Sequence, residues 1–362
     1  MFINRLFFIF SVQIFLGCND IENFEVNLSN SLIIPKKYTI YHSESEINID
    51  GKDDESQWKK APKTTDFIDI ANSNKPLQRT YMKMLWDDEN LYIYARLYEE
   101  HIWGDITQRD AVIFKNNDFE VFLKPSIIHT NYGEIEINAL GTVWDLLLNK
   151  PYRLGGKANT KWNIDNLKSE VYISGTINDS NDKDNYWSTE ISIPLNEILE
   201  INGSDYDKVK SGDVWRANFS RVQWEHDLKD GKYSRKKENN KLKKEYNWVW
   251  SRQGQINMHI PENWGFIYFN DKHEKNTNFD LKIDIKTEQY GFALFEKIKY
   301  RELKYLNDKA IDERIQFNSK SLKNNNISAE FIKTKDGFLI KCKNQIDDFI
   351  YTINQEGIIK YK

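Results

Sequence analysis

The chain has 362 residues, enough for one large domain with an appendage, and 51 Lys and Arg against 55 Asp and Glu give a formal net charge of -4. A charge so balanced offers no field to hold a phosphate backbone, which excludes nucleic acid as the expected partner. Aromatic residues make up 14% (Trp 11, Tyr 19, Phe 20), more flat rings than the apolar runs account for; rings of this kind pack strands, and they also stack on sugars.

Residues 1–17, MFINRLFFIFSVQIFLG, carry Arg5 and then an apolar stretch too short to span a bilayer, the pattern of a secretory signal. Cys18 follows the small Gly17 and resembles the modified cysteine of a bacterial lipoprotein, with Phe15 where that pattern usually has Leu. The resemblance implies lipid on Cys18. The polar, acidic NDIENFE after it resembles the export signal of Bacteroidetes surface lipoproteins, which implies a cell-surface site on the outer membrane. Only Cys342 remains once Cys18 is acylated, so no internal disulfide is expected. Residues 18–37 show neither helical nor strand periodicity and read as a tether.

The ordered chain is expected to begin near Tyr38. IDGKDDESQW places Gly51 and several acids in a turn, followed by a short helical turn that would bury Trp58. YMKMLW and LYIYARLYEE are strands joined by the tight turn DDEN. DFEVFL, residues 118–123, alternates more sharply. Successive side chains on a strand point to opposite faces, so Phe119, Val121 and Leu123 form one apolar side while Asp118 and Glu120 share the other with Phe122. EIEINAL, VWDLLL, YWSTEISIPL, WRANFSRVQW, NWVW and WGFIYF follow, each bounded by turn residues. Many short strands with no helices alternating between them predict a mainly β protein, an antiparallel β-sandwich over residues 38–271. The charge run between Trp224 and Trp248 reads as a solvated loop.

From residue 272 the pattern changes. GFALFEKIKYRELKYL has helical spacing, and two strand pairs turn at Asp336-Gly337 and Glu356-Gly357, so residues 272–362 are expected to form a small α+β extension. It shows no chemistry, and we read it as a structural piece or a dock for a protein partner. A chain ending near Lys272 is therefore expected to fold.

IDGKDDESQW, KMLWDDENLYIYARL, DFEVFL, WSTEISIPL and WGFIYF, in this order, resemble the family 9 carbohydrate-binding modules. The resemblance covers roughly Tyr38 to Asn270 and implies a non-catalytic sandwich that grips a sugar between two Trp rings over polar groups of the sheet. Carried over by position, the rings are Trp103 and Trp250, with Trp248 on the same side as the latter, and the strand carboxylate is Glu120. Where the family has an Arg this chain has Glu136, and where it has a Gln this chain has Ser220. Asn138, Arg221 and Arg109 are the candidates to compensate. The family's structural calcium would find hard donors in the loop NDSNDKDN.

Two other chemistries are open to the same residues. A glycoside hydrolase needs two carboxylates flanking the bond, and Asp118 or Glu136 with Glu120 is the candidate pair. Haem ligation by the adjacent Met258 and His259 conflicts with strand geometry, which points neighbours to opposite faces. The remaining His residues, among them His101, His129 and His226, show no metal-ligand spacing. A structural or assembly lipoprotein is the third reading. The partners expected are thus an oligo- or polysaccharide captured for polysaccharide catabolism, and a membrane reached through Cys18. Replacing Cys18 with Ala is expected to move the protein from the membrane fraction to the soluble one on fractionation, since one lipidation site is the only anchor the sequence offers.

Overall fold

In the computed structural model the residues described are 20–23, 32–126, 130–202, 208–272, 279–281 and 283–362. The signal segment, Cys18 and His129 lie outside them. Strand β1 (Asp20–Asn23) is followed by β2 (Lys37–His42), β3 (Ile68–Asp69), β4 (Thr80–Trp86), β5 (Asn90–Tyr98), β6 (Asp118–Lys124), β7 (Tyr132–Asn138), β8 (Val143–Leu148) and β9 (Ala158–Asn159). Then come β10 (Lys168–Ser174), β11 (Tyr186–Pro194), the short helix α1 (Leu195–Leu199) and β12 (Val214–Gln223). The expected solvated loop instead holds two small hairpins, β13 (His226–Lys229) with β14 (Lys232–Arg235), and β15 (Lys237–Glu238) with β16 (Lys241–Leu242). Strands β17 (Tyr246–Val249) and β18 (Gly265–Asn270) complete the large sheet.

That sheet has 13 strands in the order β10-β11-β5-β4-β2-β18-β12-β6-β7-β8-β9, with β17 and β3 attached beside β12. It curls so that β4 and β5 face β6, β7 and β12 across one core, the sandwich that the alternating runs predict. Met82, Met84, Ile93 and Trp187 from one side meet Phe119, Val121, Leu123 and Ile135 from the other. Pairing is antiparallel except where β2 lies parallel to β18 and to β4. The turn after Gly51 buries Trp58 as expected, and its indole Nε1 donates to Glu190 Oε1 at 2.8 Å. The DDEN turn closes through the Asp87 carboxylate, which accepts from the backbone of Asn90 at 2.7 Å.

The C-terminal extension is α+β as expected. Helix α2 (Ile285–Tyr300) starts at Asp284, whose carboxylate accepts from the amide of Lys286 at 3.0 Å, and packs on β21 (Gly337–Asn344) and β22 (Ile350–Asn354). Between them run β19 (Arg314–Asn318), α3 (Lys320–Asn324) and β20 (Ile327–Thr334), and β23 (Ile359–Tyr361) ends the chain. The sheet order is β1-β19-β20-β21-β22-β23. Part of the expected tether is therefore a strand, because β1 runs parallel to β19 with Asp20 opposite Ile315.

The extension is also joined to the sandwich by buried charge, contrary to the expectation of a removable appendage. Arg216 of β12 is fully buried and donates to Glu288 of α2, whose other oxygen accepts from the Tyr361 hydroxyl at 2.8 Å. Arg153 bridges Glu262 at 2.5 Å and Glu296 of α2 at 3.0 Å. Gln289 of α2 bonds both the amide and the carbonyl of Ile33, at 3.0 and 2.9 Å. Removing one partner of a buried pair strands the other charge, at a cost of about 3 to 5 kcal/mol. Glu288→Ala is expected to lower stability by that amount in urea unfolding, and a chain ending at residue 272 to unfold rather than remain a stable sandwich; an unchanged midpoint for both would show the extension to be separable.

Candidate functional site

The pleat of β6 sends Phe119, Val121 and Leu123 into the core and turns Asp118, Glu120 and Phe122 to the opposite face. Cross-strand register then builds that face. On β7, Asn138 lies opposite Asp118, Glu136 opposite Glu120 and Glu134 opposite Phe122. On β8, Trp144 lies opposite Glu136 and Leu146 opposite Glu134. On β12, Ser220 lies opposite Glu120 and Val222 opposite Asp118. Two alternating strands of acids have thus been set side by side.

This face is not open sheet. The loop carrying Ile256, Asn257, Met258 and His259, together with Phe114 and Tyr152, encloses a groove of about 320 Å³ over Glu120, Glu134, Glu136 and Trp144. Tyr152 and Phe114 are 47% and 40% exposed, so their rings stand free at its rim. Tyr152 meets the His259 ring edge-on at 4.6 Å, and His259 Nδ1 is held by the Tyr132 hydroxyl at 2.7 Å. Burial lowers the His259 imidazole to about 4, leaving it neutral at pH 7. No Lys or Arg is among the residues lining the groove.

The carboxyl groups below are buried and close. Asp118, Glu120 and Glu136 each offer an oxygen within 4.8 Å of the others. Asp118 Oδ1 accepts from the amide of Val222 at 3.2 Å and Glu136 Oε2 from that of Phe114 at 2.9 Å. Burial pushes Glu120 up to about 7. Asp118, Glu134 and Glu136 are raised well above the usual carboxylate range, first by burial and then by each other's charge and that of Glu120.

The other expected site residues lie elsewhere. Trp103 is 2% exposed, stacked under Tyr233 of the β13–β14 hairpin at 6.3 Å and packed with Val222 and Trp224. Trp250 is also 2% exposed, within the sandwich core against Phe219 and directly over Gly265, where an added Cβ would come within 2.2 Å of its ring. Trp248 is buried in the same core. Neither expected ring presents an exposed face; the aromatic side chains that line the groove are Phe114 and Tyr152, from 3-10 turns at the rim, and Trp144 on the strand below. Arg221 points to the other side of β12, donating to Thr80 Oγ1 at 3.2 Å, the carbonyl of Tyr98 at 3.0 Å and Glu99 at 3.3 Å. Arg109 pairs with Asp145 at 2.6 Å. Neither arginine offsets Glu136, because each already has its carboxylate. Asn138 folds back to organise the β7–β8 turn, accepting from the amides of Leu140 and Thr142 at 3.1 and 3.0 Å.

In the loop NDSNDKDN, the expected source of calcium donors, Asp184 accepts from the backbone amides of Ile102 and Thr176, both at 2.7 Å, while Asp182 Oδ1 is buried without a hydrogen-bond partner. A second set of hard donors, Asp118, Glu120 and Glu136, lies under the groove. Met258 and His259 lie in a loop rather than a strand, and both face the groove. Glu134, Phe114 and Tyr152 were not singled out by the sequence. The signal for Glu134 was present, since the acids of EIEIN alternate as those of DFE do; Phe114 and Tyr152 lie in irregular segments that carry no period.

No protein-family model matches the sequence, and no curated protein matches it. Among solved structures, the chain is similar to a Bacteroides uniformis protein described as carbohydrate-binding, with 12% identity and a TM-score of 0.47 over 65% of this chain and 99% of that one. It is also similar to a family 9 carbohydrate-binding module of Caldicellulosiruptor kristjanssonii. In that module's cellotriose complex the identity is 12% and the TM-score 0.44, over 68% of this chain and 100% of the module. In its glucose complex they are 14% and 0.42, over 67% and 100%.

The raised carboxyls give stability a pH dependence of definite sign. Between the ordinary glutamate value of about 4.3 and the folded value of about 7, Glu120 holds a proton in the folded state that the unfolded chain has released. Its contribution is complete below the lower value and is lost as pH rises through the upper one. One unit is about 1.4 kcal/mol, and each kcal/mol moves the melting point by roughly 2 to 4 °C in a domain of this size. With divalent ions removed, melting is expected to fall by roughly 5 to 10 °C from pH 5 to pH 8, and Glu120→Gln to flatten that slope. A slope unchanged in the variant would remove Glu120 as its source.

Proposed function

We propose that this protein binds carbohydrate without turning it over, as a lipoprotein held through Cys18 on the outer-membrane surface, where it captures glycans for polysaccharide catabolism. The observation that carries the reading is the groove itself: free aromatic faces at the rim over a floor of carboxylates. A ring such as Tyr152 or Trp144 stacks on the apolar C–H face of a pyranose, while carboxylate oxygens accept its hydroxyl protons. The volume of about 320 Å³ is at the lower end of ligand pockets. It suits a sugar ring or chain end better than a polymer laid across a flat sheet.

The floor argues against hydrolysis. Glycosidase carboxylates flank the bond, at roughly 5 to 5.5 Å in retaining enzymes and 6.5 to 9.5 Å in inverting ones. Here one oxygen each of Asp118, Glu120 and Glu136 lies within 4.8 Å of the others, on one face of one sheet, with Glu120 and Glu136 lining the groove from below. None stands on the opposite side of a bond.

Stacking of a ring on a flat ligand contributes on the order of 1 to 3 kcal/mol, and each 1.4 kcal/mol is about a factor of ten in affinity. Tyr152→Ala, Phe114→Ala and Trp144→Ala are each expected to weaken glycan retention by roughly ten- to a hundredfold, with melting little changed for the exposed Tyr152 and Phe114 and lowered for Trp144, which packs on the sheet. Trp250→Ala is expected to cost about 3 to 5 kcal/mol of stability, as a core truncation does. Affinity electrophoresis and calorimetry against plant, algal and host glycans supply the measurement, with product analysis on any retained glycan. Retention of none would overturn the reading in favour of a structural or assembly lipoprotein, and shortened products would make the protein a glycoside hydrolase.

A further inference from the structure

We propose that the floor of the groove is a divalent-cation site in which Asp118, Glu120 and Glu136 hold a hard, oxygen-preferring ion, calcium above all. Three observations meet there. First, the donor set is compact: one oxygen from each carboxylate, none more than 4.8 Å from another. Oxygens bound to calcium lie about 2.3 to 2.6 Å from it, so two on opposite sides are about 4.6 to 5.2 Å apart. The corresponding span for magnesium, with bonds of about 2.0 to 2.1 Å, is about 4.2 Å. Separations within 4.8 Å allow the three oxygens to share one ion, and magnesium is disfavoured because it demands near-ideal octahedral geometry and gives up its waters reluctantly.

Second, this is no solvated acidic patch. All three residues are buried, with Asp118 completely so, and Glu134 and Glu245 add further acid at the groove while no Lys or Arg lines it. A buried carboxylate needs a proton, a cationic partner or a metal. The arginines nearest in sequence and register, Arg109 and Arg221, are engaged by Asp145 and Glu99.

Third, the polar atoms are incomplete. Asp118 Oδ2 has no hydrogen-bond partner although the residue is fully buried. Buried polar atoms without partners are rare, and each calls for a group to satisfy it. A divalent cation among these oxygens gives Asp118 Oδ2 a partner and offsets two of the three carboxylate charges.

Three protein oxygens leave most of a calcium shell of 6 to 8 ligands open, and the groove lies over Glu120 and Glu136. Resting on the carbohydrate reading above, the open positions would take adjacent sugar hydroxyls, so glycan binding would require the ion.

The test is calorimetric titration of the chelator-stripped full chain with calcium chloride, and separately with magnesium chloride, without glycan. One calcium site and a rise in melting temperature are expected, with magnesium at least tenfold weaker. Asp118→Asn and Glu136→Gln should each weaken calcium binding by at least tenfold while circular dichroism stays unchanged, and Asp179→Asn in the NDSNDKDN loop should leave it intact. Absence of calcium binding at millimolar concentration, or binding that survives Asp118→Asn and Glu136→Gln, overturns the proposal. Glycan retention with no calcium binding overturns this inference and leaves the sugar reading standing, whereas calcium binding with no glycan retained overturns the sugar reading and leaves the ion site. Retention unchanged by chelator in a calcium-binding protein overturns the link between the two.

Discussion

Everything distinctive about this molecule depends on the register between β6 and β7. A shift of one residue in a strand pair exchanges its faces, and it would send Asp118, Glu120, Glu134 and Glu136 into the sandwich core and Phe119, Val121, Ile135 and Ile137 out of it. The core enforces the observed register, since all four of those apolar residues are buried in it. The cost of that enforcement is four carboxyl groups pressed together on the other face. Hydrophobic packing on one side of the strand thereby creates the electrostatic problem on the other, and the groove sits where that problem is.

The positive charge of the interior is kept away from it. Arg221 is drawn down to about 10 by burial and is held by Glu99 on the opposite side of β12, while Arg216 is consumed by Glu288 at the extension. Lys124, at the far end of β6, is lowered to about 7 by burial and then by Arg216. One strand therefore carries a lysine at one end and two acids at the other, with Phe122 on the same face between them. Segregation of this kind holds the extension at one end of β6 and leaves the acids at the other beside a groove whose described lining has no Lys or Arg.

Much of this was legible in the residue pattern and some was not, for physical reasons. The period-two alternation of DFEVFL assigns its two faces without any tertiary knowledge, and repeated strand runs with turn residues between them give the sandwich. Local turn chemistry also suffices for Gly51, Trp58 and Asp87. The exposure of a Trp does not follow from its neighbours in sequence. Trp250 is buried because Gly265, fifteen residues on, leaves room for its ring, and Trp103 because a hairpin from a charged run folds Tyr233 over it. The direction of Arg221 is readable from strand alternation, since it neighbours Ser220 and must face the other way; its engagement with Glu99 is not. The rim residues Phe114 and Tyr152 come from two short 3-10 turns, where no periodicity marks which side chain will be exposed.

The parallel pairing of β1 with β19 has a mechanical meaning for an anchored chain. Only Asn19 separates Cys18 from the first paired residue, Asp20, a reach of a few ångströms at about 3.5 Å per residue. With lipid on Cys18, the leash is that short. On the proposed anchoring, the six-stranded sheet would be a foot set on the bilayer surface rather than a weight at the end of a string, and the buried pair Arg216–Glu288 would be the ankle that passes its orientation to the sandwich. A receptor mounted in this proposed way would search by lateral drift and by swivelling about one point, so the tilt of the foot would decide which way the mouth of the groove looks.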